Sequence, residues 1–369
     1  MPPNQAAWLT AKSATPLEVK QAPYTAPGEG EIVVKNRAVA VNPLDWIKQE
    51  TGDMMFSWIK YPFIMGSDLA GQVVEVGKGV TRFHVGDRVV GHAVGMDQRS
   101  NKASEGAFQT YTVLRASMAS PVPDALSYED ACVLPLGLST AACGLFMKDF
   151  LALPYPSVAP SPTGKTLLVW GGSTSVGCNT IQLGVASGHE VIATASPKNF
   201  DYLRRLGAAR VFDYNSATVV DDIIAAFRDR ESAGAIAIGN GSLKPCLDVV
   251  GACRGRKFVA QASVTVPGEF PTSALGFVSF GMFMGWDAAT TEVKSRWKRV
   301  DKKFIFGSDL MANEVCRAIY EDFLPAALAQ GKYIAAPAPH VVGKGLERLQ
   351  EAMALNKKGV SAKKVVVSL

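Results

Sequence analysis

Histidine is scarce here and paired cysteine is missing, and each shortage excludes chemistry. The 369 residues include four histidines and six cysteines, Cys132, Cys143, Cys178, Cys246, Cys253 and Cys316. No two form a C-x-x-C pair, and several lie in apolar helical stretches, which suits reduced core thiols in a reducing compartment. Long apolar runs are lacking as well. The greasiest, Phe277–Trp286, falls well short of the about 20 residues that span a bilayer. The N-terminus MPPNQAAWLT has no basic region followed by an apolar core, so no secretory signal is expected. The closing VVVSL is no peroxisomal address, which leaves a cytoplasmic protein as the expectation. Charge excess is small: +5 overall with a pI near 8.8 suits anionic ligands but is too weak to argue for nucleic acid, and no nucleic-acid partner is expected. The most basic run, Lys294–Lys303, reads as a solvated helix face rather than a docking patch.

What is present centres on residues 166–199, TLLVWGGSTSVGCNTIQLGVASGHEVIATASPKN. Thr166–Trp170 is an apolar β-branched run, as in a buried parallel strand. Gly171 and Gly172 permit a sharp turn, and Ser173–Gly177 opens a helix whose free N–H groups and positive dipole end suit a pyrophosphate. Glu190–Ala195 returns as a second strand. Aligned on Gly177, the G-x-G-x-x-G pattern wants glycine at 172 and 174, and 174 is Thr. The alternative is a glycine turn that serves only helix–strand packing. Sites for NAD place an acid at the end of the second strand; here stand Ser196, Pro197, Lys198 and Asn199. No acid repels a 2′-phosphate, and Ser196 with Lys198 suits one, so NADPH is the expected cofactor. Lys198 also reads as a plain solvated lysine.

Along the chain, residues 1–131 are strand-rich and punctuated by glycine and proline, with strands expected at 6–9, 17–21, 30–40, 71–76, 87–92 and 106–113. A helical stretch covers 127–150, broken near Pro135, and a proline-rich connector covers 151–164. Strands at 166–170, 190–195, 210–214, 235–239 and 257–262 then alternate with helices near 175–187, 199–206, 217–229 and 242–252. This alternation is an α/β doubly wound sheet. Ligands of such sheets bind beyond the strands' carboxyl ends, a rim made of 171–176 (with Gly172, Ser173, Thr174, Ser175 and Val176), 196–199, Tyr214, Gly239, Asn240 and 262–263. Residues 264–303 read as irregular. A strand is expected at 304–306, helices over 309–330 and 342–356, and a final strand at 363–367.

Further motifs stand in order: Asn42-Pro43-Leu44-Asp45-Trp46, Gly66-Ser67-Asp68-Leu69-Ala70-Gly71, Val85-Gly86-Asp87-Arg88-Val89, Leu134–Ala141 and Gly171-Gly172-Ser173. Together they resemble the zinc-free branch of the medium-chain dehydrogenase/reductase superfamily, the quinone oxidoreductases and enoyl reductases. Within it the chain is similar to fungal trans-acting enoyl reductases, such as that of the lovastatin polyketide pathway. The resemblance implies a GroES-like catalytic domain (residues 1–131 and 307–369) and a Rossmann domain for NADPH (132–306). Zinc-dependent relatives carry a Cys near Asn42–Asp45 and Gly-His-Glu where Gly66-Ser67-Asp68 stands. Those ligands are missing, so no metal is expected, and His84 and His92 are expected to cap or line strands.

The resemblance also implies chemistry. Without zinc, hydride transfer to an activated C=C is favoured over oxidation of an alcohol. The substrate implied is a small-molecule or carrier-protein-bound α,β-unsaturated carbonyl (enoyl thioester, enone or quinone), with a polyketide synthase as partner. Asn42 and Thr140 match positions near the nicotinamide or substrate; their plain readings are an Asn-Pro turn and a helix threonine bonding back to a carbonyl. Asp45 reads more as a loop-fixing group than as a base. Relatives carry Tyr or Lys five residues after the Asn; here that position is Ile47, and either a one-residue slip brings Lys48 in as the donor or the site lacks that donor. Ser173, Thr174 and Val176 are implied at the pyrophosphate, Ser196, Lys198 and Tyr214 at the 2′-phosphate, and Gly239 and Asn240 toward the nicotinamide. Trp46, Met54–Trp58 and Phe277–Trp286 are expected to supply the substrate pocket, although such clusters also form cores and interfaces. Two other readings stand: a zinc-free dehydrogenase of an aromatic alcohol or ketone, and a non-enzymatic NADPH-binding relative. Oligomeric state is open.

Overall fold

The computed structural model describes residues 2–268, 270–271 and 273–369. These form two compact units, Met1–Ser139 with Met311–Leu369, and Thr140–Leu310.

The first unit begins with β1 (Asn4–Leu9), β2 (Glu18–Ala22), β3 (Glu31–Ala40), α1 (Pro43–Thr51), β4 (Phe63–Ile64), β5 (Asp68–Val76), β6 (Arg88–His92), β7 (Tyr111–Arg115), β8 (Ala119–Pro121), α2 (Tyr128–Ala131) and α3 (Pro135–Phe146). The last of these runs on into the second unit. The helical stretch Tyr128–Phe146 has the length and mean hydropathy of a membrane span, but 83% of its apolar window is buried within the protein, as in a core helix. Proline at its first position sets α1, with Asn42 before it and Asp45 in its first turn.

The second unit is built from β9 (Lys165–Trp170), α4 (Ser175–Ala186), β10 (Glu190–Ala195), α5 (Phe200–Arg205), β11 (Arg210–Asp213), α6 (Val219–Ala226), β12 (Glu231–Ala237), α7 (Leu243–Ala252), β13 (Arg254–Gly255), β14 (Phe258–Gln261), α8 (Ala274–Lys298) and β15 (Asp301–Phe304). Its sheet runs β11-β10-β9-β12-β14-β15, all parallel. The order reverses between β9 and β12, which is the doubly wound topology with its switch point there. Leu168, Ile192, Ile223, Leu247, Val250 and Val259 fill one face of it.

The chain then returns to the first unit through α9 (Val315–Arg317), a π-helical segment Ala318–Phe323, α10 (Leu324–Ala329), β16 (Ala338–Lys344), α11 (Leu349–Lys358) and β17 (Lys363–Ser368). There the sheet is β16-β17-β3-β5-β6-β8, with β7 also on β3, and a smaller sheet is β2-β1-β4. Four neighbouring strands, β17, β3, β5 and β6, bring their ends together near Ala40, Asp68, His92 and Val366.

Four expectations need correction. The 264–303 stretch contains the 25-residue α8. Gly276, Gly281 and Gly285 weaken its intrinsic propensity, and its apolar side chains do not face inward. The strand expected at 304–306 lies at 301–304, beside β14. The helix expected over 309–330 opens as 3₁₀ at Gly307–Ala312 and widens to a π turn at 318–323. The 342–356 helix begins only at Leu349, because 338–344 pairs with β17 as a parallel strand that sequence reading missed. The basic run 294–303 is a helix-end face spent on ion pairs: Lys294 and Lys298 with Asp248, Arg296 and Lys302 with Glu292, and Lys303 with Asp149.

Candidate functional site

The rim of the second unit is set by the turn after β9. Gly171 takes φ +87°, and a Cβ there would lie 2.5 Å from the Ile238 carbonyl oxygen. A Cβ on Gly177 would sit 2.3 Å from the Gly171 oxygen, so α4 packs directly on the turn. Between them Thr174, the departure from the glycine pattern, closes the turn. Its hydroxyl donates to Gly171 O (2.8 Å) and accepts from Gly177 N (3.0 Å), capping α4. A threonine thus replaces conformational freedom with two hydrogen bonds. Gly172 is buried, while Ser173, Ser175 and Val176 lie partly exposed on the first turn of α4.

At the end of β10, Ser196 Oγ and Tyr214 OH lie 3.3 Å apart and both reach solvent. Lys198 is exposed and makes no ion pair among the described residues. Asn199 is buried beneath them and so is not presented at the surface. After β12, Gly239 N donates to Ser263 Oγ (2.9 Å). The Asn240 amide clasps Val266 by two bonds, Nδ2 to the carbonyl (2.9 Å) and Oδ1 from the N–H (3.0 Å). Asn240 therefore ties a loop to the rim, and its amide is spent.

The first unit holds a second constellation, fully buried. Asn42 Nδ2 donates to Asp68 Oδ2 (2.8 Å), and Lys364 Nζ donates to Asn42 Oδ1. Lys364 pairs with Asp68 at 2.8 Å, both side chains almost without exposure, and Leu136 N donates to Asp68 Oδ1 (2.7 Å). The Asn42 N–H donates to Asp45 Oδ2 (2.8 Å). Burial, aided by the negative charge of Asp68 and opposed by the backbone N–H groups of Asn42 and Gly66, pushes the Asp45 carboxyl up to about 7. The cluster contains two carboxyls and one ammonium, and a proton on Asp45 makes it neutral. Beside it, burial pushes His92 down to about 4. Its Nδ1 meets Ser139 Oγ at 2.9 Å, Ser139 meets Tyr320 OH at 2.9 Å, and Tyr320 donates to Pro135 O at 3.3 Å. With Pro135 O as final acceptor, a neutral His92 carries its proton on Nδ1 and the chain points one way.

Sequence reading singled out Asn42 and missed Asp68, Lys364, Ser139 and Tyr320 as its surroundings. The structure spends the Asn42 carboxamide on Asp68 and Lys364. Lys48, the candidate donor, is buried too, with Nζ donating to the carbonyls of Gly52 (2.9 Å), Met55 (2.9 Å) and Phe56 (3.3 Å) and lying 5.3 Å from the Tyr61 ring. Its ammonium organises the 52–61 turn and does not join Asn42. That turn carries Phe56 and Trp58 edge to face, with Trp58 Nε1 bonded to Met96 O. Thr140 is buried on α3, in the second unit. Among the described residues no group of three His, Cys, Asp or Glu gathers as metal ligands.

A doubly wound sheet with a capped glycine turn at its switch point, on a chain that also carries a strand-rich unit, has the architecture of a dinucleotide-binding α/β protein. Residues 28–124 match the alcohol dehydrogenase GroES-like domain. The chain is 54% identical, over the whole of both chains, to the dehydrogenase PigH of Monascus ruber. It is 37% identical to the trans-enoyl reductase HimH of Aspergillus japonicus, covering 99% of this chain and 97% of that one. The solved structure of CurK enoyl reductase superposes with a TM-score of 0.72 over 99% of each chain at 17% identity, a likeness of fold. The chain belongs to the medium-chain dehydrogenase/reductase superfamily, whose fold binds a nicotinamide dinucleotide.

Proposed function

We propose that the protein is an NADPH-dependent, metal-free reductase that delivers hydride to the C=C of an α,β-unsaturated carbonyl, whether enoyl thioester, enone or quinone. The observation that carries the cofactor choice is the acid-free end of β10, with the Ser196–Tyr214 pair and an exposed Lys198. A 2′-phosphate finds donors and a cation there, and the 196–199 segment itself carries no carboxylate. The residues of the rim fit a dinucleotide: the first turn of α4 offers N–H groups to a pyrophosphate, and the tight packing at Gly171 and Gly177 fixes that turn. When bound, the cofactor supplies the hydride.

The chain's own residues then bind and orient. Lys364 and Asp68 lock the Asn42 carboxamide. Lys48 holds the aromatic 52–61 turn. Since both groups are spent on internal bonds, the α-carbon takes its proton from solvent. The 37% identity to a trans-enoyl reductase supports reduction of a conjugated double bond; the proposal adds a free or carrier-bound substrate, a polyketide synthase as partner and the cytosol as its location. A second reading, a zinc-free dehydrogenase of an aromatic alcohol or ketone, is favoured by the Monascus relative, which is named a dehydrogenase.

The test is to titrate the purified chain with NADPH and NADH by nicotinamide fluorescence, then add a crotonyl thioester and a small quinone in turn. Tighter NADPH binding with oxidation on either acceptor is the expected result. Preference for NADH would overturn the reading of Ser196 and Lys198. NADP-linked oxidation of an aromatic alcohol, with neither acceptor turned over, would replace the reductase by the dehydrogenase.

A further inference from the structure

His92 is a buried imidazole to which the proposed reaction gives no role. It ends β6 directly opposite Asp68, whose carboxylate takes the Asn42 amide, so it belongs to the polar cluster of the first unit. Only 2% of it is exposed. Nδ1 is spent on Ser139, whereas Nε2 makes no hydrogen bond among the described residues. Nor is Nε2 one of the wholly enclosed polar atoms that lack a partner, so the little surface His92 keeps includes this nitrogen. Polar atoms this deep are ordinarily paired, and an open one is a place for a ligand.

Three features fix what Nε2 offers. Burial holds the ring neutral, with its pKa down to about 4, so one nitrogen carries a proton and the other a lone pair. The chain from His92 through Ser139 and Tyr320 to Pro135 O puts that proton on Nδ1. Tyr320, which sets the direction of the chain, stands in the π-helical segment Ala318–Phe323, a rare backbone form that recurs at functional sites. Arg82 pins this segment by donating to Tyr320 O (3.1 Å) and pairing with Glu321 (3.4 Å). Nε2 is therefore a fixed acceptor and not an acid.

We propose that His92 Nε2 is a specificity-determining acceptor for a hydroxyl group of the substrate, so that the preferred substrate is an unsaturated carbonyl that also carries a phenolic or alcoholic O–H. Ser139 and Tyr320 are its positioning residues. The carbonyl half of this substrate rests on the reductase reading. An acceptor does not serve the carbonyl oxygen, which gains negative charge as hydride arrives and calls for donors. It needs an O–H or N–H, which a bare enone or quinone lacks. The dinucleotide also has donors, but the rim that fits it belongs to the second unit and His92 to the first.

Selective nitrogen-15 labelling of histidine gives four imidazoles, and His92→Gln identifies the signals of this one. Near neutral pH its proton should sit on Nδ1. A proton on Nε2, or a charged ring, would make the group a donor and overturn the proposal. Preference is then measured with ortho-, meta- and para-hydroxybenzylideneacetone and their methyl ethers, each titrated into the NADP-loaded chain and each offered as an oxidant of NADPH. At least one phenol should bind about 10-fold more tightly than its ether and move the Nε2 signal. Ser139→Ala and Tyr320→Phe should each shrink that ratio toward one and populate the Nε2–H tautomer, which a merely structural loss would not do. Equal affinities across the three pairs, or no binding by any phenol, would overturn the proposal. So would an Nε2 signal moved by NADP alone, which would give the position to the cofactor. Phenol-selective binding without oxidation of NADPH by any member would uphold the acceptor and sink the reductase reading instead.

Discussion

The two polar constellations of this chain differ in how their groups are spent. In the first unit Asn42, Asp68 and Lys364 bond to one another, as do His92, Ser139 and Tyr320, all in the buried interior. In the second unit Ser196, Lys198 and Tyr214 reach solvent with few internal partners. A buried network raises the stakes of every member, because low dielectric strengthens each bond and penalises each loss. An open rim costs the fold little and keeps its donors for a ligand. Substitutions in the first should therefore be read in stability, and in the second in binding.

The largest effect is expected at Lys364. Lys364→Met strands the Asp68 carboxylate in the interior, a loss of about 3–5 kcal/mol. Urea unfolding should show it, and adding Asp68→Asn should restore most of it. A loss unchanged in the double variant would mean that the pair is not coupled.

Next comes a pH effect at Asp45. Its folded value of about 7 stands above the ordinary 3.8, so the folded chain binds an extra proton between them. That contribution is fully present below about pH 4 and is lost as pH rises to 7. His92 slopes the other way: held at about 4 instead of 6.5, it gives stability that is full above about 6.5 and lost as pH falls to 4. Asp45→Asn deletes only the first slope. Relative to wild type, the variant should gain up to about 4 kcal/mol between pH 4 and pH 7. A flat difference in unfolding free energy across that range would show Asp45 ionised in the fold.

Lys48 sharpens the comparison, because sequence and structure assign it to different sides. If it organises the 52–61 turn, Lys48→Met should cost about 2–3 kcal/mol by leaving three carbonyls without their donor. Substrate KM should then rise more than kcat falls. A collapse of kcat with unchanged stability would make it a proton donor instead.

These cases show what could be read in advance. The doubly wound sheet and its rim were legible because period, turn glycines and strand ends are local properties of residues 166–262. Asn42 and Asp68 stood in visible motifs, but Lys364 lies 322 positions from its Asn42 partner, in a strand whose Val365–Val367 read only as core. Long-range pairing leaves no local signal. Thr174 stood out as a flaw in the glycine pattern, and only its two hydrogen bonds explain it. Helix α8 was illegible for a different reason: glycines diluted it, and its apolar stripe faces away from the core that periodicity assumes.

The smallest effect is expected at Lys198, where the two constellations contrast most. The side chain is exposed and makes no ion pair among the described residues, so Lys198→Ala should leave unfolding unchanged within about 0.5 kcal/mol. Affinity for NADPH should fall about 10-fold, the worth of one charge-assisted hydrogen bond to a phosphate. Affinity for NADH, which lacks that phosphate, should not move. The ratio of the two titrations therefore isolates the 2′-phosphate from every contact the cofactors share. Added salt should narrow the ratio in the wild type, since an exposed pair is screened, and should leave it constant in the variant. Equal losses for both cofactors would place Lys198 on the pyrophosphate, and no loss for either would make it a solvated lysine at the start of a helical turn.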